Sequence, residues 1–277
     1  MSASTQSTAP RPPALAVRGL CAAYDGVRVL EDITFAVEPN EIFVIMGASG
    51  AGKTTLLRHV LGLSQPIAGE IDLLGEALFP ATRAQLYRLR RQIGVAFQHG
   101  ALINSMSVIE NIELPLRQHT RLDRNTIRIM SRMKLELMNL AHVENFMPAQ
   151  LSGGMLKRAG LARAVVMDPR VLFFDEPSAG LDPATADELD SLILRLRDAH
   201  HMTIVIVTHA LESAARIADR VMIVGDGRVR ALDTLDNLRH LEDDYISTLL
   251  GRRTRWREVD GDALLDRLTA DIEDLGE

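Results

Sequence analysis

Gly47-Ala48-Ser49-Gly50-Ala51-Gly52-Lys53-Thr54 stands between the apolar run Ile42-Phe43-Val44-Ile45-Met46 and the helix-forming Thr55-Leu56-Leu57-Arg58-His59. The segment fits the pattern G-x-x-x-x-G-K-[ST] in the strand-then-helix context that gives the pattern its meaning. Glycines let the backbone curl round a phosphate chain with its N–H groups inward, and the following helix adds the positive end of its dipole. In such a loop Lys53 reaches the β- and γ-phosphates and Thr54 offers its hydroxyl to Mg²⁺. Gly47, Ala48, Ser49, Gly50, Ala51, Gly52, Lys53, Thr54 and Thr55 are therefore the expected nucleotide-binding positions.

Three further runs share the look of the first, being short and continuously apolar: Ile93 to Phe97, Val171 to Phe174 and Thr203 to Val207. Runs of this kind fit strands covered on both faces in a parallel sheet. Between them lie helical stretches, Lys53 to Leu63, Gly154 to Met167 and Ala184 to Ala199, and the alternation makes an α/β domain. Each run ends in a polar residue: Gln98, then Asp175-Glu176, then Thr208-His209. Ligands of open α/β sheets bind outside the carboxyl ends of the strands, so these side chains are expected to converge on the phosphate loop. Asp175 is expected to hold Mg²⁺, through water, and Glu176 to accept a proton from, or orient, the attacking water. His209 is expected to sense the γ-phosphate, and Gln98 to touch Mg²⁺ or the water. Taken singly, Gln98 and His209 read equally well as ordinary loop residues.

Working outward, residues 1–13 are small, polar and proline-bearing, the composition of a disordered tail. Leu15 to Tyr24 and Val27 to Val37 flank Asp25-Gly26, a pair suited to a tight hairpin. Gly100 to about Pro148 reads as helical, with starts at Ser107 and Asn125; with the helix that follows it forms an inserted subdomain over about 100–168. Val221 to Val224 and Arg228 to Leu232 make a second hairpin, ending a domain of 14–240. Beyond it, 241–277 is a charged extension that reads either as a segment docking on another subunit, with Tyr245 and Trp256 as aromatic anchors, or as a disordered tail.

Composition narrows the function. One cysteine, Cys21, permits neither an internal disulfide nor a thiolate zinc site, and points to a reduced compartment. A net charge of -6 gives no general attraction for nucleic acid, and the longest apolar runs are too short to cross a bilayer. Leu151-Ser152-Gly153-Gly154-Met155 opens a helix with a second anion-binding design. One phosphate loop does not need two, so either Ser152, Gly153 and Gly154 close on the γ-phosphate held by a second copy, or they form a plain helix cap.

With the phosphate loop, Gln98, LSGG, FFDEPSAGLD and His209 in that order, the chain resembles the ATP-binding subunits of ABC transporters over about Leu15 to His240. The resemblance implies a P-loop NTPase core, a RecA-like parallel sheet with an antiparallel β subdomain and the helical insert. It also implies a homodimer sandwiching two ATPs, Tyr24 stacking on adenine, and Ser178 to Asp182 crossing between subunits. Phe97 to Leu102, Ser107 to Leu116 and Met155 are similar to the ATPases of Mla-type systems, which move phospholipid between the membranes of a Gram-negative envelope. What this implies is a motor on the cytoplasmic face of the inner membrane, held there by permease subunits. An MCE lipid-binding protein and a small STAS-type regulatory subunit are implied as further partners. Other readings are an ATPase importing a different solute, a soluble ABC ATPase, and a P-loop kinase; the last leaves LSGG without a purpose.

Overall fold

The computed structural model describes residues 12–251, apart from Asp25 and His99. The tail as far as residue 11, and the Trp256 region, lie outside the described residues. Two units divide between Leu238 and Arg239, two residues ahead of the boundary read from composition.

In the first unit, β1 (Leu15–Tyr24) and β2 (Val27–Val37) pair antiparallel, and β4 (Ala68–Leu73) and β5 (Glu76–Ala77) extend them into a four-stranded sheet of order β2-β1-β4-β5. A second sheet holds β3 (Ile42–Met46), β6 (Ile93–Ala96), β7 (Val171–Asp175), β8 (Thr203–Val207), β9 (Arg220–Gly225) and β10 (Arg228–Asp233). Its order is β10-β9-β3-β8-β7-β6, parallel from β9 to β6 with β10 antiparallel at the edge. Every residue of β3 and β8 is buried, which is why both read as unbroken apolar runs.

The two sheets share one core with α1 (Lys53–Val60), in which Leu56, Leu57 and Val60 meet Leu20, Ile33 and Phe35 from one sheet and Phe43, Phe173 and Val205 from the other. The Phe35 and Phe43 rings stack at 5.4 Å, and the Arg220 guanidinium lies over Phe43. Lys53 to Leu63 was the helix expected; α1 stops three residues short. Gly62, at φ +65°, ends it, with the Gly62 and Leu63 N–H groups donating to the His59 and Arg58 carbonyls.

The segment between Leu63 and Ile93 carries elements that hydrophobic pattern does not announce. β4 buries one face over a short length, and α2 (Arg83–Arg90) buries Leu89 alone. The capping box of Thr82 and Gln85 was the available signal for α2.

The helical insert contains α3 (Val108–His119), capped by Ser107, and α4 (Arg124–Leu137), capped by Asp123, two residues ahead of the start at Asn125 that the sequence suggested. Two 3₁₀ turns, Ala141–Val143 and Pro148–Gln150, lead to α5 (Gly153–Val165), which packs on both α3 and α4 and also on β6. Val108 and Ile112 are core residues, whereas Leu102 and Met106 are half-buried. After β7 come α6 (Pro183–His200) and α7 (Leu211–Ile217), then α8 (Leu235–Leu238); the second unit contributes α9 (Asp244–Leu249).

Asn111 on α3 is fully buried and holds the loop that leads into its own helix. Its Oδ1 accepts from the Ile103 N–H at 2.7 Å, and its Nδ2 donates to the carbonyls of Ile103, Met106 and Ser107 at 3.0–3.1 Å. Asn111→Ala removes the partner of the Ile103 N–H and the amide bond to the Met106 carbonyl, while the Ile103 and Ser107 carbonyls keep the Met106 and Asn111 N–H groups, and is expected to cost about 1–3 kcal/mol. Urea unfolding of the purified chain checks this, and an unchanged midpoint would show that water replaces the amide.

Candidate nucleotide site

β3 delivers the chain into the phosphate loop and α1 takes it away. Gly52 is the N-cap of α1 at φ +98°, a backbone that L-residues avoid, and an added Cβ would sit 2.6 Å from Leu30 Cδ2. No side chain caps this helix, so its first-turn amides remain available to a ligand. The Lys53 ammonium folds back on the loop, donating to the Gly47 carbonyl at 2.8 Å and the Ala48 carbonyl at 3.0 Å.

A cleft of about 500 Å³ opens over this loop. Ser49, Gly50, Gly52, Lys53, Thr54 and Thr55 line one side of it. Gln98, Asp175, Glu176 and His209 line it too, together with Val29 and Val207, so the three strand ends do converge on the phosphate loop. Gly47, Ala48 and Ala51 support the loop without lining the cleft. Tyr24 ends β1 next to Asp25, and its side chain lies outside what the structure describes.

Charge is concentrated here. Burial pushes the Asp175 carboxyl up from its ordinary range; neighbouring Glu176 adds to this and Lys53 opposes it. Burial also lowers the Lys53 ammonium, against the pull of Glu176 and Asp175. Both shifts record a site short of compensating charge. Thr54, Gln98 and Asp175 offer a hydroxyl, an amide oxygen and a carboxylate, the hard oxygen donors that Mg²⁺ takes. Among the described residues no cluster of three or more His, Cys, Asp or Glu could hold a metal ion by itself. The donor set therefore fits a cation that keeps waters and shares phosphate oxygens rather than one caged by protein.

Glu176 is the most constrained residue of the site. Its φ of +49° lies in the left-handed region, unusual for a side-chain-bearing residue and costly unless the surroundings enforce it. The Glu176 N–H donates to the Val207 carbonyl at 2.8 Å, tying β7 to β8 one step past their last pair. Thr208 Oγ1 donates to Glu176 Oε2 at 3.2 Å, and His209 Nδ1 lies 2.9 Å from Glu176 Oε1. A carboxylate accepts, so Nδ1 carries the proton in this arrangement and Nε2 of a neutral ring is an acceptor. For His209 to donate to a phosphate oxygen, the ring must carry a second proton or Nδ1 must exchange Glu176 for the phosphate.

Ser152 caps α5, its Oγ accepting the Met155 N–H at 3.3 Å. Ser152 and Gly153 are exposed, and neither they nor Gly154 line the chain's own cleft. Sequence reasoning named Thr208 at its strand end but gave it no role of its own, because a threonine after a buried strand reads as β-propensity; it is buried and bonded to Glu176 and does not line the cleft. The role of Lys157, whose ammonium reaches the Glu176 main chain, was passed over.

A family model described as "ABC transporter" matches residues 30–179. The chain is 41% identical over 219 residues to the intermembrane phospholipid transport system ATP-binding protein MlaF of Haemophilus influenzae, covering 79% of this chain and 83% of that protein. It is 39% identical over 205 residues to the probable ribonucleotide transport ATP-binding protein mkl of Mycobacterium tuberculosis, covering 74% of this chain and 57% of that one. Among solved structures, a dimeric ATP-binding cassette in a post-hydrolysis state bound to ADP and Pi superposes with a TM-score of 0.75 at 28% identity, over 80% of this chain and 98% of the other. A phosphate loop facing two strand-end acids, on a scaffold that these proteins share, is an ATP-hydrolysing one, and the chain belongs to the ABC transporter family.

Proposed function

We propose that this chain is the ATP-hydrolysing subunit of a phospholipid transporter, acting as a homodimer on the cytoplasmic face of the inner membrane. The observation that carries the motor is the division of its parts. Lys53, Thr54, Gln98, Asp175, Glu176 and His209 share one cleft, while Ser152 and Gly153 stand exposed outside it. A second copy placed head to tail supplies the missing wall of each cleft, and the dimeric state of the solved cassette supports that arrangement. The phospholipid substrate rests on the likeness to MlaF. No helix among the described residues is long and apolar enough to cross a membrane, so on this reading permease subunits provide the path. An MCE lipid-binding protein and a STAS-type subunit complete the proposed assembly.

The residues divide the work. The first-turn amides of α1 and the Lys53 ammonium hold the phosphates, Lys53 leaving the carbonyls of Gly47 and Ala48 to do so. Mg²⁺ held by Thr54, Asp175 and Gln98 would neutralise charge on the phosphate oxygens. Glu176, fixed by Thr208, orients the water or takes its proton, and His209 detects the γ-phosphate next to it. Tyr24, at the hairpin end of β1, is the proposed adenine platform.

Lys53→Ala is expected to abolish ATP binding, whereas Glu176→Gln keeps binding and loses hydrolysis by roughly 100-fold or more, the usual worth of a positioned base. Separate measurements of nucleotide affinity and turnover distinguish the two, and wild-type turnover in Glu176→Gln would remove that residue from its role. Ser152→Arg subunits mixed with Lys53→Ala subunits should regain part of the activity that each lacks, because one composite site per heterodimer then carries neither change. No recovery, in mixtures shown to form heterodimers, would count against closure by the second copy. A second reading, import of another solute, draws on the name of the mycobacterial relative. Deletion of the gene decides between them: sensitivity to detergent supports phospholipid, and an intact envelope with loss of one nutrient's uptake supports the other.

A further inference from the structure

Lys157 sits five positions beyond Ser152 on α5, with 6% of its surface exposed. A buried ammonium normally meets a carboxylate, yet Lys157 makes no ion pair among the described residues. Its Nζ instead donates to three main-chain carbonyls, Glu176 at 3.2 Å, Pro177 at 2.7 Å and Ala179. An ammonium has three donors, so its capacity is spent on one four-residue stretch. A charge used this way fixes a backbone path. The path it fixes begins at the left-handed Glu176, whose N–H is already tied to Val207 on the opposite side. With both flanking peptide groups held, the Glu176 carboxylate is aimed at Thr208 and His209.

The same helix grips the other loop of the cleft. Arg163, six residues beyond Lys157, donates to the Ala101 carbonyl at 2.8 Å and the Gly100 carbonyl at 3.3 Å. Gly160 lies so close to Gly100 that a Cβ there would come within 2.8 Å of its Cα. α5 thus runs from the exposed Ser152, past the Glu176 segment, to the chain just after Gln98.

We infer that Lys157 is a positioning residue for hydrolysis, fastening α5 to the Glu176–Ala179 backbone so that the catalytic carboxylate is aimed only while the Ser152 helix is seated. This rests on the reading of Glu176 and Ser152 given above. When the second copy's γ-phosphate draws on the N-terminus of α5, the pull is delivered to Glu176 of the same chain through Lys157. Binding at one composite site thereby tightens the carboxylate of the other. Lys157 does not line the cleft, so its removal is expected to affect turnover and spare affinity.

The test uses the complex purified through a tag on the full-length chain, with Lys157→Met, which keeps length and removes every donor, and Lys157→Gln, which keeps two. Lys157→Met should lower kcat by about 10- to 100-fold, the usual effect of displacing a catalytic group by an ångström, with KM and the affinity for ATP within about twofold. Lys157→Gln should recover part of the loss, and Lys157→Met should cost little further when Glu176 is already glutamine. Wild-type kcat in Lys157→Met overturns the inference, as does an equal fall in kcat and ATP affinity. If Lys157→Met does not fold, Lys157→Gln decides: full activity refutes the positioning role, and reduced kcat at constant KM supports it. Should Glu176→Gln itself turn over normally, the reading of the site fails first, whatever Lys157 does.

Discussion

The register of the parallel sheet is the constraint on which the site depends. Ile45 lies beside Val207, Val207 beside Asp175, and Phe174 beside Ala96, so β3, β8, β7 and β6 end at one level. A one-residue slip in any pair would turn its strand's side chains to the opposite face, and since both faces are covered by core the slip would also move a terminal acid or amide out of the cleft. Burial of β3 and β8 at every position therefore secures chemistry as well as stability. The antiparallel sheet contributes indirectly. Its Leu30 crowds Gly52, and the Glu31 N–H donates to the Gly227 carbonyl, so the second hairpin and the first brace the phosphate loop from its outer side.

Electrostatics then explains why the loop is complete yet unsatisfied. Two acids face one lysine in a half-buried cleft, and burial disfavours the charged forms of Asp175 and Lys53 together. Lys53 finds partial compensation in loop carbonyls. A triphosphate with a divalent cation supplies both missing signs at once: anionic oxygens for the ammonium and the helix amides, and a cation for the carboxylates. Neither half alone balances the cleft, which is the physical reason such sites take metal and nucleotide as a pair.

The parts legible in the sequence were those whose residues serve a repeating geometry. Buried strands show as apolar runs, the phosphate loop shows because backbone curvature demands glycine at fixed intervals, and the helix starts at Ser107 and near Asn125 show through their caps. β4 and α2 escaped because each buries too little to leave a period. The bonds made by Thr208, Asn111 and Lys157 escaped for another reason. Their partners are main-chain groups or a side chain far along the chain, 32 residues away for Thr208 and Glu176, and bonds to backbone leave no mark on the partner's identity. For the exposed Ser152 and Gly153 the sequence offered two readings, an anion-binding helix end or a plain cap; the geometry adds that they do not line their own cleft.

Placing the strained residue at Glu176 has a mechanical consequence. A relaxed backbone at this position would need no outside support and would present the carboxylate whether or not anything else were in order. At φ +49° the conformation is held by several ties: the N–H to β8, the carbonyl to Lys157 on α5 and to the Ala179 N–H, and the carboxylate to Thr208 and His209. The tie to β8 belongs to the central sheet. The tie to α5 runs to a helix whose first residues face solvent and whose far end grips the Gly100 segment. Of these supports, one belongs to the sheet and one to a helix whose N-terminal residues, Ser152 and Gly153, are exposed to a partner. On the inference drawn for Lys157, hydrolysis would follow the seating of α5, and the delay of an ATPase that must not fire before its assembly is closed would rest on that buried ammonium.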